Sequence, residues 1–170
     1  MHFFTMYTYS FYHHVLHISK FYLIMYIKGV IKLYITNSLI NFLNDSKFLS
    51  NSTIILTDLE KVIFVESDNS NNYLNTELST SLKQIINLFE TDINTVDYMN
   101  TTLDNIVPIT IDDDITKYKS QIILPIIHDS IIDGLLIFIA DNRKYLASSL
   151  KYAKTTQHFV EVFTTKEYLN

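Results

Sequence analysis

Two apolar runs separated by three polar residues constrain this chain more than any other feature. Ser120 to Ile127 and Ile131 to Ala140 are isoleucine-rich, and Asp133 is the only charge in either. Each is too short to span a bilayer, which takes about 20 apolar residues. Both are rich in β-branched residues and bounded by turn formers, which predicts strands rather than helices. His128-Asp129-Ser130 is then the turn of an antiparallel hairpin. Ile131–Ala140, the more apolar run, is predicted as the central strand. Pro125 cannot donate to a ladder and implies a bulge or an unpaired position. Gly134 marks a turn or bulge, or a close backbone approach to a ligand, with the bulge favoured.

Composition narrows the chemistry. With 170 residues the chain suits one domain with a proper core. It has no cysteine, which removes disulfides, thiol catalysis and cysteine metal sites. Two glycines are too few for a glycine-rich phosphate loop. No Asp or Glu precedes Asp45, whereas Lys20, Lys28 and Lys32 do, so all 18 acidic residues fall in the remainder. An acidic body repels phosphate backbones, so direct nucleic-acid binding is not expected.

The N-terminal stretch is a separate object. It is aromatic and histidine-rich, and lacks both the charged start and the cleavage site of a signal peptide. Phe21 to Ile35 is broken by Lys28, Gly29 and Lys32, which argues against a membrane span. Residues 1–24 are expected to be a disordered tail, or to precede a true start at Met25, with the domain covering 25–170. The pair His13 and His17 has helical spacing for a metal, but no carboxylate is near to complete the set.

Alternating elements follow. Ile27, Ile31, Ile35 and Leu39 recur every four residues, which predicts a helix over 25–44 stopped by Asn44-Asp45-Ser46. Its apolar residues, including Tyr26 and Tyr34, exceed what one sheet face needs. That surplus makes Ile27, Ile31, Ile35 and Leu39 candidate interface residues. Thr53–Thr57 and Val62–Glu66 form a hairpin around Asp58–Lys61. Asp68–Asn72 is a polar loop. Ser79 caps a helix to about Glu90 with Leu82, Ile85, Ile86 and Phe89 inward. Residues 91–105 show no period and read as an irregular connection. Asn105–Ile111, containing Pro108, reads as an edge strand. A closing helix carries Leu146, Leu150, Ala153, Gln157 and Val160. The fold class is α+β, a central antiparallel sheet flanked by N- and C-terminal helices.

Three stretches resemble the C-terminal, GAF-type domain of the stage V sporulation protein T family. They are Ile54–Asp58 with Val62–Val65 and Tyr73-Leu74-Asn75; Ile106–Ile109; and Ser120–Ile127 followed by Ile132–Phe138. Their order and spacing carry the match, over about residues 30–163. The family's DNA-binding domain, with its arginine- and glycine-rich strand, has no counterpart here, so DNA binding does not carry over. The resemblance implies a bacterial, cytoplasmic, GAF-like sensor domain in sporulation-type transcriptional regulation. It also implies a small-molecule site between one sheet face and residues 91–119, where Tyr98, Ile109, Ile111 and Tyr118 would line a cavity. The alternative is that these four fill the core.

No catalytic pattern emerges. His128, Asp129 and Ser130 are consecutive and cannot form a relay with one another. Asp112-Asp113-Asp114 lacks the spacing and glycine of a calcium loop and reads as a solvated acidic loop. The chain is therefore expected not to be an enzyme and to need no cofactor. Its expected partners are a second copy or another regulator, with an unknown small molecule. A ligand-free interaction module is the competing reading. A third attaches the N-terminal apolar helix to a membrane surface.

Overall fold

A computed structural model describes residues 35–50, 52–66, 73–91, 98–102, 105–140 and 147–168. The predicted tail, Ile27, Ile31 and the loop 68–72 lie outside the described residues.

The elements are α1 (Asn37–Ser50), β1 (Thr53–Thr57), β2 (Val62–Glu66), α2 (Thr80–Thr91), β3 (Met99–Thr102), β4 (Ser120–His128), β5 (Ile131–Ala140) and α3 (Ala147–Tyr168). The strands form one antiparallel sheet in the order β2-β1-β5-β4-β3. β5 is central, and Leu135 to Ala140 are buried without interruption.

Strand alternation sorts the core into two layers. Ile54, Leu56, Ile122, Leu124, Leu136 and Phe138 face α1 and α3, where they meet Leu39, Leu43, Ala153 and Val160. Ile55, Ile123, Leu135, Ile137 and Ile139 face α2, where they meet Leu82, Ile85, Ile86 and Phe89. Each such apolar side chain contributes about 1.5–3 kcal/mol when fully buried, so both layers are substantial.

Local chemistry explains the element ends. Ser79 caps α2: its Oγ accepts from Leu82 N at 3.1 Å. Asp58 builds the β1–β2 turn, its Oδ1 accepting from Glu60 N at 2.8 Å and Lys61 N at 2.7 Å. Asp129 and Ser130 adopt φ 50° and 64°, the paired left-handed conformation of a two-residue hairpin turn. The expected β4–β5 turn is therefore present.

The structure departs from expectation in two elements. α1 runs through Asn44-Asp45-Ser46 to Ser50. Burial of Leu39 and Leu43 outweighs the weak helix preference of those residues. At its start, Thr36 Oγ1 accepts from Leu39 N at 3.2 Å and α1 begins at Asn37; residues 25–34 of the expected helix lie outside the described residues.

The edge strand is the second departure. β3 is Met99–Thr102, paired with Ser120–Ile123, and not Asn105–Ile111. Residues 106–110 belong to no strand of the sheet. Their backbone groups are taken by Gln121 and Ser79, together with a single bridge between Leu78 and Thr110. Pro108 lacks the N–H that a ladder requires.

Candidate functional site

The segments 73–77 and 110–117 approach each other over the α2 side of the sheet. They enclose a cleft of about 600 Å³ lined by Tyr73, Thr76, Glu77, Thr110, Ile111, Asp112, Asp113, Asp114 and Lys117. The two walls are joined by one carboxylate. Asp113 Oδ1 accepts from Tyr73 Oη at 2.6 Å and from Tyr118 Oη at 2.7 Å. Its Oδ2 accepts from Ile109 N at 2.9 Å. The two tyrosine hydroxyls also touch each other. Burial, then the hydrogen bond to Asp113, pushes the Tyr73 phenol up to about 12. Burial and the hydrogen bonds to Tyr73 and Asp113 also push Tyr118 well above the ordinary phenol range.

Asp114 acts locally. It caps the 3-10 turn Ile115–Lys117, accepting from Thr116 Oγ1 at 2.6 Å and Thr116 N at 3.2 Å. Those bonds, and the charge of Lys117, hold its carboxyl below the usual value. The triple aspartate is thus not uniformly solvated: Asp112 and Asp114 are exposed, whereas Asp113 is half-buried and fully engaged. Among the described residues, no group of three His, Asp or Glu side chains is placed to hold a metal ion.

The four residues expected around a ligand do not converge. Ile111 lines the cleft and is 73% exposed. Tyr118 braces it from behind through Tyr73 and Asp113. Ile109 is fully buried in the α2-side core and fills space rather than lining it. Tyr98 packs on the opposite face of the sheet, with Lys154 Nζ 4.7 Å from its ring centroid. Of the expected interface stripe, Leu39 is 1% exposed and belongs to the α1–α3 core, and Ile35 is partly buried against it. Tyr73 escaped sequence reasoning. Its only signal was its place in the Tyr73-Leu74-Asn75 step.

A second constellation lies at the far end of β4. His128 Nδ1 is 2.6 Å from Asp133 Oδ2, and Nε2 is 2.8 Å from Thr164 Oγ1. Hydroxyl, imidazole and carboxylate stand in relay order, yet Thr164 is 2% exposed and its hydroxyl donates to Val160 O at 2.7 Å. A hydroxyl so buried and engaged is out of reach of a substrate. Gly134 lies beside this group, where the β4–β5 register shifts.

The sequence matches the family described as stage V sporulation protein T C-terminal, transcription factor, over residues 40–161. The chain belongs to that family. Solved structures show the same fold at low identity. The GAF domain of a two-component sensor histidine kinase from Bacillus halodurans aligns with TM-score 0.54 and 14% identity, over 79% of this chain and 97% of that one. The blue-light absorbing form of the Thermosynechococcus elongatus PixJ GAF domain gives 0.52 and 11%, over 80% and 95%. The cofactor binding GAF domain of the nutrient sensor CodY from Clostridium difficile gives 0.51 and 10%, over 86% and 94%. A comparison with curated proteins returns no match. This member of the stage V sporulation protein T family therefore has a GAF fold with sheet and helices as expected. Among its described residues no helix is long and apolar enough to cross a membrane.

Proposed function

We propose that this chain is a non-catalytic regulatory domain that senses a small polar molecule in the cleft between residues 73–77 and 110–117. One observation carries the reading: Asp113 ties both walls of a ligand-sized cleft together through Tyr73, Tyr118 and the Ile109 amide. A ligand that competes for those hydrogen bonds changes how the 106–118 segment sits on α2, because Ser79, the cap of α2, also donates to Pro108 O. Hydroxyls, carboxylates and Lys117 at the rim suit a ligand with several hydrogen-bonding groups. The similarity to a fold described as cofactor binding in a nutrient sensor supports the same reading. The role belongs to transcriptional control in the cytoplasm, with DNA contacted through another domain or partner.

A second reading has its own observation. Phe159 and Val162 are 43% and 36% exposed on α3, and the Phe159 ring lies tilted against Phe42 of α1 with centroids 5.1 Å apart. This apolar helix face supports association of two copies. The experiment addresses both readings. The full chain is screened by thermal shift against small metabolites and sized by light scattering at two concentrations. A dose-dependent rise in Tm that Asp113→Ala abolishes supports sensing, since binding to the native state stabilises it by mass action. Dimers without any stabilising ligand favour the interaction reading. A monomer without a ligand removes both.

A further inference from the structure

We propose that His128 is a pH-operated latch: as an imidazolium it pins the C-terminal part of α3 to the β4–β5 hairpin, and on losing its proton it releases it. The inference does not depend on the cleft being a sensor site.

The argument begins with the donors and acceptors around the ring. Nδ1 faces the Asp133 carboxylate at 2.6 Å. Nε2 faces the Glu161 carbonyl at 3.0 Å and Thr164 Oγ1 at 2.8 Å. The Thr164 hydroxyl lies 2.7 Å from Val160 O and 3.1 Å from Glu161 O, the back-bonding geometry of a helical threonine, so its proton has a carbonyl to go to. That leaves its oxygen as an acceptor toward the ring. Both imidazole nitrogens therefore meet acceptors. A neutral imidazole carries one N–H and sets a lone pair against an acceptor at its other end. Only the doubly protonated ring donates at both.

The groups facing His128 come from each element packed on it. β5 supplies Asp133. α3 supplies the Glu161 carbonyl, with the Glu161 carboxylate accepting from Ile127 N at 3.1 Å and His158 acting on that carboxylate. Asp129, next in the chain, is exposed in the hairpin turn. His128 and Asp133 side chains are only 10% and 15% exposed, so the pair is shielded from salt. Burial lowers the imidazole pKa, but the hydrogen bonds to Asp133 and to the Glu161 carbonyl, with the negative charges of the Asp133 and Glu161 carboxylates, outweigh it, and the net direction is upward. A raised histidine contributes stability that is complete below about pH 6.5, its ordinary value, and is lost as pH rises through the folded pKa. The latch is closed at pH values below the raised folded pKa and opens as pH rises through it.

The latch adds to the packing that holds α3 on the sheet. β4 and β5 carry the centre of the sheet, while the last turns of α3 meet the hairpin through Glu161 and Thr164. Opening frees the end of α3 without disturbing the cleft.

The test follows the full chain with ¹⁵N-labelled histidine by long-range ¹H–¹⁵N NMR. His128→Gln assigns the signal. The expected result is a ring protonated at both nitrogens at pH 6.5, which loses one proton at a midpoint above that of free histidine. The Ile127 and Thr164 amides, corrected for intrinsic exchange, exchange at least fivefold faster beyond that midpoint. Asp133→Asn shifts the midpoint downward, a readout a merely structural role would not move, and it serves alone if His128→Gln fails to fold. A neutral tautomer at pH 6.5 overturns the proposal. So does a titration that leaves exchange at Ile127 and Thr164 unchanged.

Discussion

The carboxamide of Gln121 grips Val107 at both backbone groups. Oε1 accepts from Val107 N and Nε2 donates to Val107 O, each at 3.0 Å. Gln121 is fully buried. It does for the 106–110 segment what a neighbouring strand would do, and so fixes the base of the loop that ends in the cleft. Gln121→Ala leaves both Val107 groups without this partner, and a cost of about 2–3 kcal/mol in urea unfolding is expected. Gln121→Glu keeps the acceptor but turns a carboxylate oxygen toward Val107 O. It should be at least as damaging at pH 7 and partly recover at pH 4.5, when a buried carboxyl regains a proton to donate.

Gly134 is a second backbone-to-backbone constraint. A Cβ built there would lie 1.9 Å from Thr57 O and 3.0 Å from Thr57 C. The obstacle is main chain, so no side-chain rotation relieves it. Gly134→Ala must separate β1 from β5 and weaken the bond from Leu135 N to Thr57 Oγ1 at 3.2 Å. A loss of about 3 kcal/mol or more is expected. By thermal unfolding that is a fall in Tm of roughly 6–12 °C for a chain of this size. A Tm within two degrees of the parent would refute the contact.

Much of this was legible in the sequence, for physical reasons. Strands β1, β2, β4 and β5 follow from short β-branched apolar runs bounded by turn formers, and the inward face of α2 from helical periodicity, because each buries the apolar surface its sequence displays. β3 was not legible. Met99-Asn100-Thr101-Thr102 has no apolar alternation and is a strand only because Ile123 and its neighbours offer an edge. The 106–110 segment reads as that strand, since the sequence cannot reveal that Gln121, fourteen residues after Val107, takes both Val107 backbone groups. At the cleft, Ile111 and Tyr118 were within reach only through the resemblance, which implies a site between one sheet face and residues 91–119. Tyr73 was not, for its link to Asp113 spans 40 residues. His128 reads as a turn residue, yet it is the last residue of β4, paired with Ile131, and its bonds to α3 depend on tertiary packing.

The Tyr73–Asp113–Tyr118 cluster predicts alkaline behaviour. Burial and the Asp113 carboxylate raise Tyr73 to about 12, and Tyr118 is raised further. Phenols raised on folding contribute stability that is present below about pH 10, their ordinary value, and lost as pH rises through the folded pKa. In a phenolate absorbance titration at pH 11, the folded chain should show about two fewer ionised tyrosines than the urea-unfolded chain. Tyr73→Phe and Tyr118→Phe should each reduce that deficit by about one. Equal counts in folded and unfolded chains would dissolve the cluster.

The last prediction concerns how α3 closes an open strand edge. β3 covers β4 only from Ser120 to Ile123, so among the described residues no strand lies beside the rest of that edge. An open edge invites pairing with other chains. Here α3 side chains occupy it: Gln157 Nε2 donates to Pro125 O at 2.5 Å, and Glu161 Oε1 accepts from Ile127 N at 3.1 Å. Pro125 is tolerated at this point because its missing N–H faces the helix rather than a strand. Gln157→Ala should cost about 1 kcal/mol and quicken exchange at the Ile127 amide by about fivefold. Combined with Glu161→Ala, the loss should differ measurably from the sum of the single losses, since both side chains cover the same stretch of β4. Strict additivity, with no change in exchange at Ile127, would mean that the helix rests on the sheet by apolar packing alone.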